Sequence, residues 1–206
     1  SFEMRCAVTG ILIDCNNREY ELPVLLSWSV VHTTGVPCDS YEICFLYDKT
    51  MAQVLSDAVR FRGVTDGKTV FYGIIDEYEI TIDDGGRTVG VTGRGLAALL
   101  LDNEAEAVEF GSCALSDILQ SFVRPLGIEN ISADAMPVLS GYTVETGTSC
   151  WKALDGFVRA SAGIQPCFSR DGTLVLSNRR GETRRVDGDT VIYDLCCRER
   201  RYGVIS

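Results

Sequence analysis

Tyr78-Glu79-Ile80-Thr81-Ile82, Asp83-Asp84-Gly85-Gly86 and Arg87-Thr88-Val89-Gly90-Val91-Thr92-Gly93 form the stretch whose reading decides the fold. Apolar and polar residues alternate in both flanks, the period of a strand with one face buried. The Asp and Gly between them are turn formers, so the stretch reads as a hairpin. A second hairpin precedes it, in which residues 60–64 and 69–75 flank Thr65-Asp66-Gly67-Lys68. Residues 76–82 follow as a separate strand. Phe71, Ile74, Val89 and Val91 are expected to face the interior. Gly73 and Gly93 are expected where the chain bends or another backbone comes close.

The same grammar extends towards the N-terminus. Residues 1–14 read as a strand that ends in the turn cluster Asp14-Cys15-Asn16-Asn17-Arg18. Residues 20–31 read as a strand pair. Residues 41–46 alternate, with Ile43 and Phe45 on one side and Glu42, Cys44 and Leu46 on the other. Residues 50–58 suit one or two helical turns, and 96–101 a short apolar helix after the Gly93-Arg94-Gly95 strand-to-helix turn. About seven short strands with turn chemistry between them suggest a small barrel or sandwich, assigned to residues 1–102.

The pattern changes beyond Asp102. Residues 103–109 are acidic and read as a linker or the approach to a strand. Ser112 can cap a helix whose apolar positions are Leu115, Ile118, Leu119, Phe122 and Val123, stopped by Pro125 and Gly127. A short strand is expected at 142–145. Ser149 can cap a second helix with the stripe Trp151, Leu154, Phe157 and Val158, ended by Gly163. A hairpin around Arg170-Asp171-Gly172 follows. This makes residues 103–180 an α+β domain of two helices and short strands. Residues 181–206, with strand-like runs at 191–195 and 202–205, read as the start of a further barrel. The chain ends in an apolar run with no turn, as though it continued. The fold class is therefore α+β, mainly β.

Composition narrows the function classes. Of 206 residues, 46% are hydrophobic and the mean hydropathy is +0.09, too apolar for disorder and enough for a sizeable core. The net charge is −10, the wrong sign for a protein that displaces counterions from nucleic acid. It is also uneven: residues 179–206 carry seven Arg against five acids, leaving that segment at +2 and the preceding residues at −12. That asymmetry reads as a solvated face or as a contact with an acidic neighbour, such as another copy of this chain. No run is long enough to span a bilayer and no signal peptide is evident, so no membrane binding is expected of this region. The nine cysteines include no CxxC, and with one histidine they assemble no zinc spacing. They read as reduced core residues made in a cytoplasm.

The chemistry-bearing patterns are sparse. A Ser or Cys nucleophile needs a base, and the single histidine, His32, sits beside a strand. Ser149 lies in Gly147-Thr148-Ser149-Cys150-Trp151, which lacks the Gly-x-Ser-x-Gly of a nucleophile elbow. Gly93-Arg94-Gly95 lacks the rest of a phosphate loop. Asp83-Asp84-Gly85-Gly86 is too short for a calcium loop. Trp28 and Trp151 read as core anchors rather than ligand platforms. No catalytic residue, metal ligand or cofactor site is assigned.

What remains is a resemblance. Val70-Phe71-Tyr72-Gly73-Ile74-Ile75-Asp76, the hairpin after it, Val89-Gly90-Val91-Thr92-Gly93-Arg94-Gly95-Leu96 and the helix ending Leu101-Asp102 resemble phage baseplate hub proteins. Leu115-Ser116-Asp117-Ile118-Leu119 with Gly127-Ile128, and Gly141-Tyr142 through Gly147-Thr148-Ser149-Cys150-Trp151-Lys152-Ala153-Leu154, are similar to later phrases of the same family. Gly163 and Asp171-Gly172-Thr173-Leu174 continue the series, and Arg201 to Ser206 is similar to the opening of the family's next barrel. The resemblance spans roughly residues 20–206. It points to the late-control-protein and tail-hub group, which is related to type VI secretion spike proteins and to the hub part of tail-associated lysins.

The resemblance implies a structural, non-enzymatic part of a phage or prophage tail, assembled into the virion after synthesis in the bacterial cytoplasm. It implies a homotrimer whose two barrels per subunit form a pseudo-sixfold ring between the tail tube and the spike or tip proteins, with DNA passing through unbound. Two other readings stay open: a cell-wall or carbohydrate-binding module built on residues 112–178, and a wall hydrolase.

Overall fold

The computed structural model describes residues 7–32 and 38–178. The expected strands within 181–206 lie outside the described residues. Contacts divide the chain into two compact units, the first running to Gly95 and the second starting at Leu96.

The first unit is one antiparallel sheet of seven strands. They are β1 (Thr9–Asp14), β2 (Glu19–Glu21), β3 (Ser27–Val31), β4 (Ser40–Leu46), β5 (Ala58–Thr65), β6 (Lys68–Asp83) and β7 (Gly86–Gly95). Their order across the sheet is β2-β1-β5-β6-β7-β4-β3. The helix α1 (Ala52–Asp57), entered through a 3₁₀ turn at Lys49–Met51, links β4 to β5. Asp48 caps that turn by accepting from Thr50 N–H at 2.9 Å.

Both anticipated hairpins form. Asp66 and Gly67 take φ of 50° and 74°, the pair of positive angles that a tight turn matched to the strands' twist requires. At the other turn Asp83 pairs with Gly86, and the Asp83 carboxylate accepts from Gly85 N–H at 2.9 Å. Residues 20–31 do not pair with each other as expected. Instead β2 pairs with β1 and β3 with β4, placing the two at opposite ends of the sheet. The two segments expected to meet at Asp76 are one strand, for β6 runs through 16 residues, with Asp76 left out of the ladder to β7 as a bulge.

The sheet is strongly curled. Four strand spacings, about 19 Å on a flat sheet, separate β5 from β3. Yet the Trp28 ring on β3 lies 5.9 Å from Phe61 on β5 and 5.9 Å from Phe71 on β6. Tyr41 on β4 stacks on Phe61 at 4.8 Å. These rings can meet only if the two wings of the sheet fold towards each other over one apolar face. Leu12, Ile43, Phe45, Val89 and Val91 fill the rest of that interior. No ladder joins β2 to β3 among the described residues, so the expected small barrel is found as a curled sheet open between those edges.

The second unit packs α2 (Ala97–Asp102), α3 (Leu115–Ile118) and α4 (Cys150–Ala162) with two small sheets. β8 (Val108–Phe110) pairs with β10 (Tyr142–Val144). β9 (Ile131–Ala133), β11 (Cys167–Phe168) and β12 (Leu174–Leu176) form the other sheet, with β12 antiparallel to β11 and parallel to β9. Leu100 of α2 belongs to this unit's core. By contacts the second unit thus begins at Leu96.

Helix α3 runs on as a π-helical stretch, Leu119–Val123, and a 3₁₀ turn, Arg124–Leu126, ended by Gly127 at φ 83°. Ser112 is not its cap. Ala114 holds that position, and the Asp117 carboxylate reaches back to accept from Ala114 N–H at 2.9 Å. Ser149 does cap α4, its Oγ accepting from Lys152 N–H at 3.1 Å. Gly163 ends α4 at φ 64°.

Candidate functional site

The residues examined for chemistry turn out to be occupied structurally. His32 Nδ1 lies 3.0 Å from Asp39 Oδ2, linking the end of β3 to the approach to β4. The Ser149 hydroxyl is engaged as the cap of α4. Cys113 and Cys150 are buried in the second core, where burial pushes both thiols above their ordinary pKa and away from the reactive thiolate. Among the described residues no group of three or more His, Cys, Asp or Glu could hold a metal ion. No helix of the described residues is long and apolar enough to cross a membrane.

Of the expected core positions, Trp28, Phe71, Val89, Val91, Leu154 and Phe157 are buried. Two are not. Ile74 is only half-buried, because it is an odd number of residues from Phe71 and so lies on the opposite face of β6. Phe71, Gly73 and Ile75 form the inward row instead. Trp151 is half-buried and packs at the margin of the second core, whereas Ala153, Leu154, Phe157 and Val158 fill its centre. The two-residue period of a strand, which puts positions 71 and 74 on opposite faces, was the available signal for the first correction.

The distinctive surface is the distal half of the β6–β7 hairpin. The last ladder pair between β5 and β6 is Arg60 with Ile74. Beyond it β6 continues as an arm paired, among the described residues, only to β7, through to Asp83 with Gly86. Every residue from 76 to 83 is exposed. The arm is two-faced: Tyr78, Ile80 and Ile82 project on one side, and Glu77, Glu79, Thr81 and Asp83 on the other. Tyr78 and Ile80 lie opposite the buried Val91 and Val89, so the apolar row prolongs the interior face of the sheet into solvent. Tyr78, Ile80 and Ile82 retain 42%, 42% and 71% exposure, a cost that a solvated hairpin has no reason to carry.

The base of the arm is firmly built. A Cβ on Gly93 would stand 1.9 Å from Ile74 O and 2.7 Å from the Tyr41 ring, and one on Gly73 2.3 Å from Arg94 O. Both glycines serve the close approach expected of them. Gly93 and Gly95 lie within β7 and neither has a positive φ, so the requirement at Gly93 is space rather than backbone freedom. The Tyr41 hydroxyl enters the gap and donates to Ile74 O at 2.9 Å. Burial, and then the Asp76 carboxylate, push its pKa above the usual phenolic value. On the outside, Arg94 grips Asp76 with two hydrogen bonds of 2.8 and 2.9 Å, where the ladder shifts register between Ile75 and Glu77.

Residues 97–178 match the family described as baseplate hub protein gp44-like, second domain. The fold is similar to a tail protein from Neisseria meningitidis MC58, with a TM-score of 0.62 and 24% identity over 82% of this chain and 49% of that one. It is also similar to the 43 kDa tail protein of prophage MuSo2 from Shewanella oneidensis, with a TM-score of 0.57 and 17% identity over 82% and 53%. A chain of the lidless PdpA–VgrG complex gives a TM-score of 0.54 and 9% identity over 87% and 36%. The chain thus spans about half the length of the two tail proteins. No curated protein matches in sequence.

Proposed function

We propose that this chain, hub-like in residues 97–178 and similar in fold to phage tail proteins, is a structural component of a phage or prophage tail baseplate. The match of the second unit to the hub family carries the reading. The resemblance of the first hairpin's sequence to hub proteins adds to it, because that hairpin lies outside residues 97–178.

In this reading three copies form a ring that joins the tail tube to the tip or spike, in the virion. In this reading the chain is a structural part rather than an enzyme, in keeping with the tail proteins it is similar to. The acidic balance of −10 suits a ring through which DNA passes, since like charge keeps the duplex from adhering. A wall- or carbohydrate-binding module would instead present an exposed aromatic row on the second unit. Among its described residues the exposed large apolar side chain is Val138.

Light scattering across a concentration series and two salt levels tests the ring. The expected result is a species of three times 22.6 kDa. A monomer at every concentration, both for this chain and for one extended past Ser206, would overturn it.

A further inference from the structure

We infer that the outer edge of β6, residues 76–83, is a strand-addition site that receives the arginine-rich segment 179–206 of a second copy. The inference rests on the ring reading above and names the surface that would make the ring's contact.

Three observations lead there. Among the described residues, β6 beyond Ile75 has a ladder partner on one side alone, so its other edge presents N–H and C=O groups to solvent. Such an edge is a template for another strand unless it is blunted. This one is long, since its pairs to β7 extend to Asp83, and carries no lysine or proline; its protection is a bulge at the base and the acids Asp76, Glu77, Glu79 and Asp83, which repel an acidic strand and admit a basic one. Secondly, the apolar row Tyr78, Ile80 and Ile82 is exposed on the side that continues the sheet's interior. An added strand would bond to the backbone edge while its alternate side chains covered that row, the ordinary mode of β-augmentation.

Charge then selects the occupant. Residues 76–87 hold Asp76, Glu77, Glu79, Asp83 and Asp84 against the single base Arg87. Two arms pairing edge to edge would set acid against acid, which is unfavourable. A basic strand is required, and this chain supplies one: residues 179–206 are the part with a net positive charge, and Arg198, Arg200 and Arg201 adjoin the strand-like run 202–205. An acidic arm that receives a basic segment makes a head-to-tail contact, the kind that closes into rings.

Charge reversal in the full chain tests this, with association read by light scattering. Glu77→Arg with Glu79→Arg, and separately Arg198→Glu with Arg200→Glu and Arg201→Glu, should each weaken association about ten-fold or more at low salt. Both sets on one chain should restore it, and mixing the two variants should give mixed dimers and open chains rather than the closed ring, because a three-membered ring of the two keeps one like-charged contact. If each variant associates like the wild type, the arm is not the contact and the inference falls while the ring stands. If the doubly changed chain recovers but the mixture stays wholly monomeric, the pairing lies within one chain and the second copy is excluded. A wild type that stays monomeric, even when extended past Ser206, removes the ring and this inference together.

Discussion

Tyr41 shows how one residue joins the core to the arm. Its ring stacks on Phe61 in the interior, and its hydroxyl donates to Ile74 O beside the space that Gly93 leaves open. Tyr41→Phe keeps the ring and removes the donor, so at neutral pH it should cost about 1 kcal/mol. The sign of the pH effect follows from the raised pKa of the buried phenol. The unfolded chain releases the phenolic proton near pH 10, whereas the folded chain retains it. The tyrosine's contribution is thus fully present below about pH 10 and declines above it. Urea midpoints of wild type and Tyr41→Phe should therefore converge between pH 9 and 11, both figures being about one unit from the reference phenol value. A difference that stays constant through that range would deny the burial of the hydroxyl. The sequence marked Gly93 as a place of close approach. It did not mark Tyr41, whose partner lies 33 residues away and is fixed only when β4 pairs with β7.

Helix α4 is the element where periodicity and packing part company. A stripe that includes Trp151, Leu154, Phe157 and Val158 has helical spacing, and three of the four are buried at its centre. Trp151 stands in the first turn, at the edge of the contact, and stays half-buried. Phe157→Ala should therefore cost about 3–5 kcal/mol, while Trp151→Ala should cost roughly half of that or less. Chemical denaturation of the two variants checks the order, and equal losses would place Trp151 in the core after all. Local signals served well wherever the partner was near in sequence: Ser149 and Gly163 bound α4, and Asp66-Gly67 and Asp83 to Gly86 turn the two hairpins. They failed where the partner was remote. β9 is three residues long, has no alternating pattern, and exists because β12 lies parallel to it more than forty residues on. The pairing of β2 with β1 rather than β3 was equally hidden, because alternation shows which face is buried but not which neighbour a strand takes. The exposed arm was legible as a hairpin and illegible as a surface. Its alternation of Tyr78, Ile80 and Ile82 looks the same whether the apolar row meets a core or solvent.

At the scale of the molecule there are two cores, one gathered around Trp28, Tyr41, Phe61 and Phe71 and the other around Ile118, Phe122, Leu154 and Phe157. No residue belongs to both sets. A cavity cut in one core removes contacts from that set alone, so its free-energy cost should fall on the amides of the same unit. Phe61→Ala and Phe157→Ala each delete a fully buried ring, at about 3–5 kcal/mol apiece. That corresponds to a loss of roughly two hundred- to five thousand-fold in hydrogen-exchange protection where a unit opens by its own unfolding. Phe61→Ala should therefore lower protection in β1, β4, β5 and the proximal half of β6 while leaving α4 near its wild-type rate. Phe157→Ala should do the reverse. Equal loss in both units from either variant would mean that they unfold as one cooperative body. Residues 76–83 are a third reporter in the same experiment. Among the described residues their backbone is held by β7 alone, so in a dilute monomer their outward amides should exchange quickly whichever core is cut. Protection there that rises with protein concentration can come only from a strand supplied by another copy.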